Sequence, residues 1–283
     1  IINNIVNSKK WDNQFTFISS AINNKTSWMG LPILLKEKYL SKKSKQTLKC
    51  SSARNNIFPK KFEDLIRPIG WRSGMVINSP FEFLASKKKL MMVGHNPGGV
   101  PQESETTIKE DWIRHLDDPS FNALKESWGS YPEKHPGTHP IQLLYKALLD
   151  NTSLTEEDIL STNVYWKRTK TTELLNVDTS LERSCREGFL YNLEVHEPDC
   201  IFFLGHGSVD IAGKWATVNL SKGSSSYPWG NDQIIKFQRM KFNGIGFNTL
   251  SIPHPSRFGF GNDPERLTAI LMGLEECGIE IFH

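Results

Sequence analysis

Cysteine is scarce in this chain, and what there is lies scattered. Cys50, Cys185, Cys200 and Cys277 form no C-x-x-C pair. Neither a zinc site nor a disulfide framework is expected from them, and reduced thiols in a cytoplasmic, bacterial-type cytosol are. No apolar run approaches the roughly 18 residues that cross a bilayer. No basic stretch precedes an apolar one near the N-terminus, so neither membrane association nor a secretory leader is expected. No G-x-G-x-x-G opens a helix after a strand, which disfavours a dinucleotide enzyme; "GHGSVD" (205–210) is too short to serve. No internal repeat is present.

What is there suits one α/β core with an added segment. The chain has 283 residues, of which 38% are hydrophobic, enough for a sizeable core. The net charge of +3 conceals a polarity. Residues 1–90 hold 17 Lys and Arg against 5 Asp and Glu, whereas the remaining 193 hold 17 against 26. A basic end of this kind suits a polyanion approached from one side, or is simply a solvated lysine-rich surface. Lys42, Lys43 and Lys45 in "LLKEKYLSKKSKQTLK" are its densest part. Residues 1–87 read as a basic, helical and loop-rich N-terminal region, and 88–283 as the α/β domain.

From residue 88 the rhythm changes to strands alternating with helices. Strands are expected at "KLMMVG" (89–94), "ILSTNVYW" (159–166), "CIFFLG" (200–205) and "GFNTLSIPHPS" (246–256). Helices are expected at 108–116, 139–150, 180–198 (with Ser180 as N-cap and Pro198 closing it), 208–216 and 263–278. "NLSKGSSSYPWGNDQ" (219–233) reads as a flexible insertion before the last strand. The expected architecture is a three-layer sandwich around a central, mainly parallel four-stranded sheet covered on both faces.

In such sheets ligands bind beyond the carboxyl ends of the strands. Three of those ends are chemically unusual: His95-Asn96-Pro97-Gly98 after the first strand, Asn163 at the second, and His254-Pro255-Ser256-Arg257 at the last. Singly, each is a weak turn signal. Together, one fold would set them along one rim.

Those residues carry a resemblance. "GHNPGG" resembles the first motif of the uracil-DNA glycosylase superfamily, in the Gly-x-Asn-Pro-Gly form of its mismatch-specific, thymine-DNA and single-strand-selective branches. "HPSRFGFGN" (254–262) resembles the second motif, "TNVYWKR" the strand with the base-reading asparagine, and "FLYNLEVHEPDCIFFLGHGSVD" the stretch between. The likeness covers roughly residues 88–277. It implies a monofunctional DNA glycosylase that flips a nucleotide and hydrolyses its N-glycosidic bond. Asn96 would hold the water and His254 would stabilise the departing base. Gly94, His95, Pro97, Gly98 and Asn163 would surround the base; Glu103, in an acidic loop outside the family pattern, is either a solvated residue or an auxiliary base or contact to a polar substituent on the base. Ser256, Arg257, Phe258 and Phe260 would hold the phosphate or fill the vacated stack.

The pattern also departs from the family. Some relatives bind an iron–sulfur cluster through four cysteines. Here Cys185 resembles one ligand position, but Lys167 stands at another and the N-terminal pair is missing, so no metal or cofactor is expected. No lysine stands at a Schiff-base position, which implies an abasic product. The acidic loop "VPQESETTIKEDW" suits a bulky or polar base. The expected substrate is either a modified cytosine, such as glucosylated hydroxymethylcytosine in phage DNA, or uracil or mismatched thymine in repair. Two other readings keep the fold: a nucleotide or nucleoside hydrolase, and a catalytically silent DNA-binding module. DNA is the expected partner, and no obligate protein partner is inferred.

Overall fold

The computed structural model describes residues 59–84, 86–98, 106–128, 135–230, 233–258 and 264–282, with the backbone alone at 218–225, 230 and 258. The helices are α1 (59–66), α2 (Ile108–Asp117), α3 (Pro140–Asn151), α4 (Thr179–His196), α5 (His206–Trp215), α6 (Pro255–Phe258) and α7 (Pro264–Glu276). The strands are β1 (Leu90–Gly94), β2 (Ile159–Asn163), β3 (Cys200–Leu204), β4 (Val218–Gly230), β5 (Gln233–Phe242) and β6 (Ile245–Ile252).

β1 and β3 are apolar without interruption, as suits strands covered on both faces. Successive side chains point to opposite faces. Met91, Val93, Ile201 and Phe203 meet Phe62 and Ile66 of α1 and Leu181, Phe189 and Leu193 of α4. Leu90, Met92, Phe202 and Leu204 meet Leu144 and Leu148 of α3 and Ile270 and Leu274 of α7. Each such side chain, fully buried, contributes about 1.5–3 kcal/mol. Phe62, Leu65, Ile66 and Ile69, which precede the compositional change at 87, are part of the first of these two cores.

The sheet has six strands rather than the expected four, in the order β2-β1-β3-β6-β5-β4. β2, β1, β3 and β6 are parallel. β5 and β4 add an antiparallel wing. Ser- and Gly-rich composition reads 219–233 as an insertion, but the backbone of β4 pairs with β5, with register shifts between Leu220 and Ser225 and between Pro228 and Gly230. β5 and β6 are joined by Asn243 and Gly244, both at positive φ (47° and 88°). That is the two-residue Asn-Gly hairpin, whose twist matches the strands it joins.

The N-cap of α4 also differs from expectation. Asp178, not Ser180, accepts the Leu181 N–H at 3.0 Å. Ser180 donates its hydroxyl to Asp178 at 2.6 Å, and Arg72 reaches the other carboxylate oxygen at 2.6 Å. Two cap-forming residues compete here, and the pairing with Arg72 favours the earlier one. At the far end Glu197 takes the left-handed conformation (φ 41°) just before Pro198. Among the described residues no helix is long and apolar enough to cross a membrane.

Candidate functional site

Because β1, β2, β3 and β6 run the same way, Gly94, Asn163, Leu204 and Ile252 finish at one edge of the sheet. The first two loops leaving that edge are laced together. Val164 and Tyr165 donate their N–H groups to the carbonyls of Gly94 (2.8 Å) and His95 (2.9 Å), and Thr169 donates to Pro97 (3.2 Å). Arg168 donates through Nη1 to the Gly98 carbonyl at 2.6 Å. The pairing of β1 with β2 thus continues into the loops.

Asn96 locks this lacing. Its Nδ2 donates to the carbonyls of Pro97 (3.0 Å) and Lys167 (3.3 Å) and to Thr169 Oγ1 (2.8 Å). With the nitrogen committed, the amide cannot flip. The Oδ1 atom, which has no partner among the described residues, is left as an acceptor of fixed direction. An acceptor so placed can orient a water without itself being a base.

Asn163 is buried and in register beside Gly94. A Cβ at Gly94 would lie 2.3 Å from Asn163 Oδ1. The absence of a side chain at Gly94 is what lets the amide lie there; a Cβ would push it aside. An amide at that point offers one donor and one acceptor to a ligand edge.

His254 follows β6. Its ring packs over Gly205, the residue after β3, at 3.5 Å from where a Cβ would stand. Gly205 has φ 116°, which only glycine adopts readily. Ser256 donates its N–H to His254 Nδ1 at 3.3 Å. A neutral ring that accepts at Nδ1 carries its proton on Nε2. Burial, then the nearby Arg257, His139 and His95, hold the imidazole neutral down to about pH 4. His254 is therefore a neutral N–H donor over the whole physiological range.

His95 stands between these groups. Its ring lies 3.5 Å from where a Cβ on Gly207, at the start of α5, would stand, and its centroid is 6.1 Å from that of Tyr165. Burial and Arg257 lower its pKa, and Glu173 opposes them. Behind it, Tyr165 donates to Glu182 Oε2 (2.6 Å) and Trp215 donates to Glu182 Oε1 (2.6 Å), joining α4 and α5 to the β2 loop. Arg257 approaches Glu173 at 3.9 Å, so the loops after β2 and β6 meet across the site.

Of the residues expected from sequence, the structure brings together Gly94, His95, Asn96, Pro97, Gly98, Asn163, His254, Ser256 and Arg257. Only the backbone of Phe258 is described. Glu103, Phe260, Lys42, Lys43 and Lys45 lie outside the described residues. Ser256, expected to hold a phosphate, has its N–H turned to His254 and its hydroxyl 3.4 Å from His139 Nε2. Cys185 is buried in α4, where its Sγ accepts the Trp166 N–H at 3.4 Å. Among the described residues no three His, Cys, Asp or Glu side chains gather to hold a metal ion.

Three members of the site escaped the sequence reading: Thr169, Glu173 and His139. The first two sit in the polar stretch after β2, where nothing in the local pattern separates them from their neighbours. His139, followed by Pro140, reads as the start of a helix, and it is one: its Nδ1 accepts the Ile141 N–H at 3.3 Å. Only the packing of α3 beside α6 brings it to the rim. No protein-family model matches the chain, and no curated protein matches it either.

Proposed function

We propose that the protein is a monofunctional DNA glycosylase that hydrolyses the N-glycosidic bond of a flipped pyrimidine nucleotide and leaves an abasic site. One observation carries the reading. A fixed amide acceptor (Asn96), a two-way amide (Asn163) and a neutral imidazole N–H (His254) stand at the ends of nearby parallel strands. Those are the three functions that this hydrolysis needs.

In the reaction the C1′–N bond breaks with its electron pair passing to the base. The base oxygen that gathers this charge accepts from His254 Nε2–H. Because the ring is already neutral and oriented, no proton need be lost first, and such preorganised donors are worth several kcal/mol. Asn96 Oδ1 accepts from a water whose lone pair faces C1′. The water adds there and its proton is released to solvent. Asn163 reads the base edge by donating and accepting at once. The departure from the duplex stack costs a few kcal/mol, least for damaged, mismatched or unpaired bases.

The substrate reading is a modified cytosine, such as glucosylated hydroxymethylcytosine, or uracil or mismatched thymine. The test is incubation with single- and double-stranded DNAs carrying each of these bases, followed by mass spectrometry of the released base and alkaline cleavage of the abasic strand. Release of one base, with no strand break before alkali, is expected. No release from any of them would overturn the reading.

A further inference from the structure

We propose that His139, at the start of α3, is a positioning residue that fixes the tautomer and orientation of His254 through Ser256. The inference deepens the glycosylase reading and, for its effect on rate, rests on it.

The geometry is a relay across three elements. His139 is the N-cap of α3, and its ring nitrogens have separate tasks. Nδ1 accepts from Ile141 N–H at 3.3 Å, so in the neutral ring the proton stands on Nε2. Nε2 lies 3.4 Å from Ser256 Oγ and donates to it. Ser256 in turn donates its backbone N–H to His254 Nδ1 at 3.3 Å. The His139 backbone N–H is held by Gln142 Oε1 at 3.2 Å, and its ring packs on Trp128 at 5.1 Å between centroids, so the first link is anchored on a twelve-residue helix. The last link is on a single short turn, Pro255–Phe258. A turn of four residues has little rigidity of its own. Anchoring Ser256 to α3 is what keeps its N–H aimed at His254.

The consequence is chemical. With Nδ1 accepting, the His254 proton stays on Nε2, the nitrogen free to meet a developing oxyanion. Without that bond the proton distributes between the two nitrogens and the ring is free to rotate. The groups facing His254 are His139 from α3, His95 from the loop after β1 and its own neighbour Arg257, which Glu173 approaches from the loop after β2. All three of the cationic or cationisable neighbours oppose a charge on the ring. Removing His139 therefore takes away one of these and also the bond that favours the neutral form, and both changes raise the His254 pKa.

Two substitutions separate the cap from the relay. In His139→Asn the amide oxygen overlays Nδ1 and keeps the cap, but nothing reaches Ser256. In His139→Gln the longer amide places an N–H where Nε2 stood. In single-turnover base release, His139→Asn should lower the rate about tenfold, the usual weight of one oriented hydrogen bond. KM should be unchanged, and the acid limb of the pH profile should move from about 4 toward 6.5. His139→Gln should recover most of the rate. Ser256→Ala combined with His139→Asn should be no worse than the worse single variant, because both act on one path. Long-range nitrogen–proton spectra of histidine-labelled protein read the tautomer directly, with His254 assigned by its loss in His254→Asn. Wild type should show a protonated Nε2, and His139→Asn a mixture. A pure Nε2 tautomer in His139→Asn would overturn the proposal, as would equal loss of rate in the Asn and Gln variants. If the wild type releases no base at all, the glycosylase reading falls, and the spectra still decide the assignment of His139.

Discussion

Gly94→Ala is the sharpest probe of the site, because it adds a single methyl group at a place where the backbone accepts one. Gly94 does not occupy a positive-φ conformation. Conformationally the alanine is tolerated, and by restricting the unfolded chain it contributes up to about 1 kcal/mol of stability. The obstacle is steric. The new Cβ would lie 2.3 Å from Asn163 Oδ1, whereas ordinary contact begins at 3.4 Å. The amide must retreat by about 1 Å, and it can, since it is the end of a side chain. A misplacement of about 1 Å in a reacting constellation costs on the order of a hundredfold in rate. The expected outcome is a urea midpoint within experimental scatter of wild type together with a hundredfold fall in kcat/KM. Discrimination between bases should shrink with it. Gly94→Ala/Asn163→Ala should match Asn163→Ala alone, since the methyl group then has nothing to displace. A variant with wild-type kcat/KM and wild-type discrimination would refute the role of Asn163. A variant that lost several kcal/mol of stability would refute the packing argument.

Asn96→Ala should slow single-turnover base release by two to three orders of magnitude, in line with removal of one preorganised polar group, while DNA affinity measured by fluorescence anisotropy is retained. Near-normal release would remove Asn96 from the mechanism. The fully buried His115 and His196 are held neutral by burial, each to about pH 4, and His254 likewise. The unfolded chain binds these protons first, so stability is fully present above pH 6.5 and is lost as pH falls from 6.5 to 4. Asp111 opposes them: burial raises its carboxyl to about 7, a contribution lost as pH rises through 7. The net uptake on unfolding is roughly two protons, so urea midpoints should fall steadily between pH 6.5 and 4; a flat series would contradict the burial of these rings. Replacing Lys42, Lys43 and Lys45 with Ala should weaken duplex binding and make its log–log salt slope shallower by about 0.9 for each phosphate that is no longer neutralised. An unchanged slope would mean that these lysines are a solvated surface only.

How far the fold was legible followed the range of the interactions that decide it. β1 and β3 announced themselves because strands buried on both faces must be apolar throughout, a condition met residue by residue in "LMMV" and "CIFFL". The rim followed from them: parallel strands end together, so the unusual residues after each had to be neighbours. β4 did not announce itself. Its Ser and Gly residues have low strand propensity, and it becomes a strand through hydrogen bonds to β5, a partner that its own composition does not reveal. The better signal lay one strand later, in Asn243-Gly244 between two alternating runs. Asp178 and Ser180 are equally good caps on local grounds; Arg72, more than a hundred residues away, donates to both, at 2.6 Å to the carboxylate and 3.2 Å to the hydroxyl, and its charge favours the carboxylate. His139 is the same case at the site itself. As a helix cap it is a local feature, and as a partner of Ser256 it depends on α3 packing against α6. A motif reading proposes the groups that would touch a substrate, because chemistry constrains their type and their place after a strand. It passes over the groups that aim them, because any polar side chain of the right reach serves, and the reach is set by packing.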